Sequence, residues 1–317
     1  MSKIFKPRTG NQYSISFGDY SAVVTELGAN LRTLQWKGKD LIASFDPNET
    51  VPCCNGYVLV PYPNRVEDGQ YTFEGKTYQL PIDEVERNTS LHGFGYRYFW
   101  KLESLTESSV ELSWRAPAIP SYPFDITVFV HYELSDDGLS QSVTVFNNDE
   151  KPAPWAFGIH PWLSNGKHNT GDAIEEDNAA CHLELHASKH VTVNDRLIPN
   201  GTEDVTGTKY DLTTNPSMEG KGFDDAWTGV EYIGDGSTTA VFTRPDGIQV
   251  RLSGDNTVNA WQVCTGTGFP EEIRPAGVAV EPMTAYANAF RTGKNLERVE
   301  PGESFSTTVR YSARSID

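Results

Sequence analysis

The stretch Tyr13-Ser14-Ile15-Ser16-Phe17-Gly18-Asp19-Tyr20-Ser21-Ala22-Val23-Val24-Thr25-Glu26-Leu27-Gly28-Ala29-Asn30-Leu31-Arg32-Thr33-Leu34-Gln35-Trp36 alternates apolar and polar side chains on either side of a Gly-Ala-Asn break. Alternation at period two sends successive side chains to opposite faces of a pleated ribbon. It predicts strands over Tyr13–Phe17, Ala22–Leu27 and Leu31–Trp36, with a turn before the third. Downstream, Tyr71-Thr72-Phe73 and Thr77-Tyr78-Gln79-Leu80 flank Glu74-Gly75-Lys76, a short hairpin signal. Further strands are expected at Val110–Trp114, Asp125–Glu133, Leu139–Asn147, His182–Leu185, Thr239–Thr243, Ile248–Leu252, Ala260–Cys264, Gly277–Val280 and Ser304–Tyr311. Asp136-Asp137-Gly138 and Arg244-Pro245-Asp246-Gly247 read as hairpin turns. No long window carries a helical period, and turn signals recur at strand-length intervals, so the fold class is all-β, a sandwich or a barrel. Asn165–Asn178, rich in Gly, Asn and acidic residues, reads as a surface loop.

Composition agrees with that class. Among 317 residues there are 27 Gly, 19 Pro and 36 aromatics but only 3 Met, a balance suited to many short strands and tight turns. The chain shows no linker-like shift in composition and no internal repeat. Its candidate site residues fall early, in the middle and late, so a single domain over 1–317 is expected. The formal charge of -17 excludes nucleic acid and anionic membrane surfaces as partners, since phosphate would be repelled. The first ten residues are polar with no signal-type apolar run, and no stretch reaches the ~20 apolar residues of a membrane span. Cys53, Cys54, Cys181 and Cys264 have no metal-type spacing and read as reduced, packed thiols. Together these features predict a cytoplasmic protein.

Four segments put polar chemistry beside Gly or Pro. In Val60-Pro61-Tyr62-Pro63-Asn64-Arg65, two prolines hold the backbone extended before Asn64 and Arg65, and the Arg65 fork suits sugar hydroxyls. In Leu91-His92-Gly93, glycine allows another backbone or a ligand to come close to His92. Gly158-Ile159-His160-Pro161-Trp162 ends an apolar strand on a titratable imidazole flanked by Trp155 and Trp162, a platform type for a pyranose ring. In Val280-Glu281-Pro282-Met283-Thr284, the Glu follows an apolar strand, and partial desolvation there would raise its pKa. One histidine and one carboxylate with further orienting groups suit proton transfer on a polyhydroxylated substrate.

In order, Asn64-Arg65, Leu91-His92-Gly93, Gly158–Trp162, Phe223-Asp224-Asp225-Ala226-Trp227, Gln262-Val263-Cys264-Thr265-Gly266 and Val280–Thr284 resemble the aldose 1-epimerase (mutarotase) family. The likeness runs from about residue 10 to residue 312. The Glu-Pro-Met-Thr form and the Asn-Ala-Phe ending at Phe290 look most like the bacterial branch that includes sulfoquinovose mutarotase-like proteins. The resemblance implies a large antiparallel β-sandwich of the galactose mutarotase type (a supersandwich), working on a small monosaccharide without metal or organic cofactor, as a monomer or homodimer. It implies Glu281 as general base and His160 as general acid. Arg65, His92, Asn64 and Gln262 would orient the sugar, as would Asp224 or its neighbour Asp225. Trp162 stands where many relatives carry Tyr or Phe, and there it would narrow the pocket or add a stacking face.

Other readings remain at this level. His182, Glu184 and His186 alternate and would share a strand face, which reads more simply as the solvated side of an amphipathic strand than as a metal site. A phosphorylated or sulfonated hexose would need cations such as Arg65, Arg97, Arg274 and Arg291 to converge. A non-catalytic sugar-binding or regulatory protein would not need both His160 and Glu281. A two-carboxylate glycosidase would leave His160 without a task.

Overall fold

The computed structural model describes residues 6–168 and 170–316. The opening stretch forms a four-stranded antiparallel meander, Gln12–Phe17, Tyr20–Thr25, Leu31–Trp36 and Lys39–Asp40. Its second strand stops at Thr25 rather than Leu27, because the Thr25 amide already closes the turn onto Asn30 O at 2.9 Å.

Two eight-stranded antiparallel sheets make up most of the remainder. The first runs in spatial order Lys101–Leu105, Ser109–Arg115, Ile126–Ser135, Gly138–Asn147, Ser304–Ser315, Ile248–Gly254, Thr238–Thr243, His182–Leu185. Its long strands alternate buried and more exposed positions, as in Ile126–Ser135, so one face packs inward and the other meets water. Inward side chains such as Val130, Tyr132, Val143, Phe242, Leu252 and Tyr311 belong to one large apolar cluster.

The second sheet contributes to the same cluster and carries the polar chemistry. Its order is Pro199–Asp204, Ala187–Val193, Asp224–Val230, Ala260–Cys264, Gly277–Met283, Gly158–Ile159, Val58–Leu59, and Trp162–Ser164 also pairs with Gly277–Met283. Ala260–Cys264 and Gly277–Met283 are buried at every position, on both faces. The expected all-β sandwich of antiparallel strands is therefore present.

Strands with weak alternation escaped the sequence reading. Lys101–Leu105 is exposed throughout and Pro199–Asp204 nearly so, so neither has an apolar face to reveal it. The reading of Asn165–Asn178 as a surface loop is corrected: the short helix Ala173–Ala179 begins within it, and Asn165 and Asn178 are anchored inside. Asn165 Nδ2 donates to Asn178 Oδ1 at 2.9 Å, and Asn178 Nδ2 donates to Gly277 O at 2.8 Å, at the start of the Glu281 strand. Ile174 at the helix start is fully buried. Among the described residues no helix is long and apolar enough to cross a membrane.

Candidate active site

Three adjacent strands set the floor of a cavity of about 310 Å³. Ala226, Gln262 and Glu281 stand side by side across them, and Asp224, Cys264 and Ala279 form the next row. Period-two geometry places both rows on one face, so Asp224, Gln262, Cys264 and Glu281 meet the same space. Glu281 is 1% exposed and His160 7%. His160 Nε2 lies 3.2 Å from Glu281 Oε1, while His160 Nδ1 and Glu281 Oε2 have no protein partner.

A second wall comes from two turns that lock each other. The Asn64 amide donates to His92 Nδ1 at 3.1 Å, and the His92 amide donates to Asn64 O at 2.9 Å. Both residues adopt left-handed backbone, uncommon for residues other than glycine though best tolerated by Asn and His among others. Gly93 makes this approach feasible: a Cβ there would sit 2.2 Å from Val60 O. With Nδ1 accepting, His92 keeps its proton on Nε2 and presents a neutral imidazole edge-on to His160, ring centres 5.5 Å apart.

Arg65 is buried and held by a two-pronged bond to Glu84, Nε to Oε2 and Nη2 to Oε1, each 2.8 Å. Thr89 Oγ1 and Arg87 Nη1 also donate to Glu84, at 2.6 and 2.9 Å. Asn64 Nδ2 donates to Gln262 Oε1 at 3.3 Å, Gln262 Nε2 donates to Asp224 Oδ1 at 2.8 Å, and Asp224 Oδ2 lies 3.9 Å from Arg65 Nη2. The result is a connected polar network in which each orienting group is itself oriented.

Burial moves the central pair away from charge. It lifts the Glu281 carboxyl well above the ordinary range; the nearby Asp224 charge adds to this and Arg65 opposes it. It lowers the His160 imidazolium to about 4. His92 is also held well below its usual value, by burial first and then by His160 and Arg65. Burial thus pushes both members of the pair toward their uncharged forms, a carboxyl and a neutral imidazole close enough to pass one proton between them.

The structure brings Asn64, Arg65, His92, His160, Asp224, Gln262 and Glu281 into this cavity and leaves two expected residues out. Asp225 points to the opposite face, where its Oδ1 meets His190 Nε2 at 2.8 Å, as strand alternation requires for the neighbour of Asp224. Trp162 is fully buried in a small cluster with Ala43, Cys264 and Ala279, and its Nε1 donates to Cys53 O at 3.0 Å. It stacks behind His160 at 6.1 Å and offers the cavity no face. The aromatic ring at the mouth is Phe269 instead, which lines the cavity with Pro270 and Ile273.

Glu84, Arg87 and the thiols of Cys53, Cys54 and Cys264 also line the site and were not foreseen. Glu84 lies in Asp83-Glu84-Val85-Glu86-Arg87, which looks like any solvated charged turn, and only the fold brings it to Arg65. Burial pushes Cys53 up to about 11 and Cys54 to about 12, so these thiols stay protonated. His186 Nε2 pairs with Glu184 Oε1 at 2.8 Å and His182 Nδ1 bonds Asn215 O at 2.9 Å. Among the described residues no group of three or more His, Cys, Asp or Glu is gathered as a metal site.

Known proteins can now be set beside this geometry. The sequence model of the family described as aldose 1-epimerase matches residues 11–312. An uncharacterized Escherichia coli K12 protein, YihR, is 29% identical over 298 residues, covering 93% of this chain and 91% of that one. Galactose mutarotase of Bos taurus is 24% identical, covering 95% and 91% of the two chains. The solved structure of a GalM/aldose epimerase homologue from C. elegans superposes with a TM-score of 0.82 at 19% identity, over 97% of this chain and 99% of that one, which speaks to the fold. With the match running almost end to end, this chain belongs to the aldose 1-epimerase family and is by that membership an isomerase.

Proposed function

We propose that the cavity binds a free, uncharged aldohexose and interconverts its α and β anomers, with Glu281 and His160 as the acid/base pair. The observation that carries this reading is the buried pair itself. Two titratable groups lie 3.2 Å apart on the cavity floor, each with a polar atom that no protein group satisfies. Buried polar atoms without partners are costly unless a ligand or water meets them. In the reacting arrangement the shared proton sits on His160 and Glu281 is the carboxylate. Glu281 takes the proton from the C1 hydroxyl while His160 gives its proton to the ring oxygen. The C1–ring-oxygen bond breaks as the C1 carbonyl forms. Rotation about C1–C2 presents the other carbonyl face, and reclosure with the proton roles reversed yields the other anomer and restores the pair. Each positioned proton-transfer group contributes about 10²–10⁴-fold. Arg65, His92, Asn64, Gln262 and Asp224 hold the remaining hydroxyls. Site residues drawn from positions 64 to 281 support treating 1–317 as one domain.

The lining favours a neutral sugar over a phosphorylated or sulfonated one. Among the described residues, Arg65 and Arg87 are the guanidinium groups that line it, both already bound to Glu84, and Glu84, Glu86, Asp224 and Glu281 line the same cavity. Other candidate cations are engaged elsewhere: Arg97 with Asp83 and Tyr96, Arg274 with Glu175 and Thr265 O, Arg291 with Glu67 and Asp68. Polarimetry on freshly dissolved α-anomers of glucose, galactose, glucose 6-phosphate and sulfoquinovose tests this. Faster equilibration of a neutral sugar is expected. Acceleration confined to the two anions would overturn the neutral-substrate reading, and none at all would leave a sugar-binding protein.

A further inference from the structure

Asp224 and Asp225 open the strand Asp224–Val230, and the two edges of that strand are held differently. On one side Ala260–Cys264 pairs with both, Asp224 opposite Cys264 and Asp225 opposite Val263. On the other side Ala187–Val193 pairs with Val230, Thr228, Trp227 and Ala226, and the ladder stops there. Side-chain period in a strand is two, so a one-residue slip or bulge at this free end would swap which aspartate faces the cavity. Because both are Asp, side-chain chemistry alone would not resist the exchange.

His190, on the far face, closes the gap that the ladder leaves. Its Nε2 is 2.8 Å from Asp225 Oδ1 and its Nδ1 is 2.8 Å from Glu203 Oε1 on the next strand. The ring is nearly enclosed. It lies flat on Tyr210 with centres 3.5 Å apart and edge-on to Trp227 at 5.9 Å, and the Lys209 ammonium sits on the Tyr210 ring. An imidazole with a carboxylate at each nitrogen donates from both and is therefore charged. Burial opposes that charge, yet the bonds to Asp225 and Glu203 outweigh it and raise the pKa. Asp225, so captured, turns its other oxygen to the Asp224 amide at 3.3 Å.

We propose that His190 is a positioning residue of the sugar site: by holding Asp225 on the far face it commits Asp224 to the cavity, where Asp224 fixes Gln262 and faces Arg65. The inference rests on reading this cavity as the sugar site. Neither His190 nor Asp225 lines the cavity, so neither touches the sugar, and the adjoining Asp224 is the lining residue through which they would act.

Mutarotation kinetics of His190→Gln, Asp225→Asn and the double variant provide the test. Each single variant is expected to raise KM about tenfold with kcat within about threefold, the signature of lost binding rather than lost chemistry. The double variant should be no worse than Asp225→Asn alone, because the two residues act in series. An unchanged KM in either folded variant, or additive effects, would overturn the proposal. Amide exchange at Asp224 and Asp225 separates this from the functional reading. Should the wild-type protein accelerate no sugar, the mutarotase reading falls, and faster exchange in His190→Gln would still support the positional role. Unchanged exchange would sink it.

Discussion

The two large sheets of this molecule bury their strands in different ways. In one sheet the long central strands Ile126–Ser135 and Gly138–Asn147 give one face to the core and the other toward water. In the second sheet, Ala260–Cys264 and Gly277–Met283 are covered on both faces, apolar groups filling one side and the sugar-sized cavity lying on the other. The first sheet is a support whose long strands keep most of their polar side chains on the outer face. The central strands of the second sheet hold Gln262 and Glu281 out of bulk water, where pKa values move and hydrogen bonds must be arranged in advance. Chemistry and stability should therefore separate between the sheets, and that separation can be tested.

The largest effect belongs to the covered sheet. Glu281→Gln and His160→Asn should each lower the mutarotation rate about 10²–10⁴-fold, with thermal unfolding showing a folded protein. Glutamine cannot take the C1 proton, and asparagine cannot give one to the ring oxygen. A near-wild-type rate in either variant would remove the acid/base assignment and erase the contrast between the sheets at its centre.

The counterpart is Leu252→Ala in the support sheet, a fully buried side chain that does not line the cavity. Truncating a buried leucine typically costs about 2–5 kcal/mol of stability, the spread reflecting how far the cavity collapses. Denaturant unfolding should record that loss while kcat and KM of the folded enzyme stay as they were. A kinetic defect without a stability defect would mean that the support sheet is coupled to a site it does not line.

The same contrast explains what could be read beforehand. Strands such as Leu139–Asn147 announced themselves by alternation because one face is wet. Glu281 stood out for the opposite reason, a carboxylate inside an otherwise apolar run. Glu84 could not be found, since its importance comes from a bond to Arg65 across nineteen residues of turn and hairpin, and locally it is one acid among several. Trp162 misled because an aromatic next to His160 suggests a stacking platform; whether the indole faces the ligand or braces the imidazole from behind depends on the packing of Ala43 and Ala279. Asp224 and Asp225 could be distinguished only once the strand phase was known, and the strand itself was missed because two leading aspartates hide its alternation.

The smallest effect concerns two histidines, His160 just beyond a strand of the covered sheet and His190 within one, whose titrations are displaced in opposite directions. His160 is depressed to about 4 by burial. Between that value and the unfolded value of about 6.5, the unfolded chain binds a proton that the folded protein refuses. Stability is thus full above about 6.5 and falls with decreasing pH, by about 3 kcal/mol in total. His190 is raised, so its contribution is full below about 6.5 and is lost as pH rises through its folded value. Glu281, raised as well, also favours lower pH, and for that reason the two histidines are best read by comparing variants with wild type rather than from the wild-type curve alone. Urea unfolding across pH should show His160→Asn with a flatter acid limb and His190→Gln with a flatter alkaline limb. If His190→Gln instead flattened the acid limb, its imidazole would not be the charged clamp between Asp225 and Glu203, and the aspartate it holds on the far face would need another explanation.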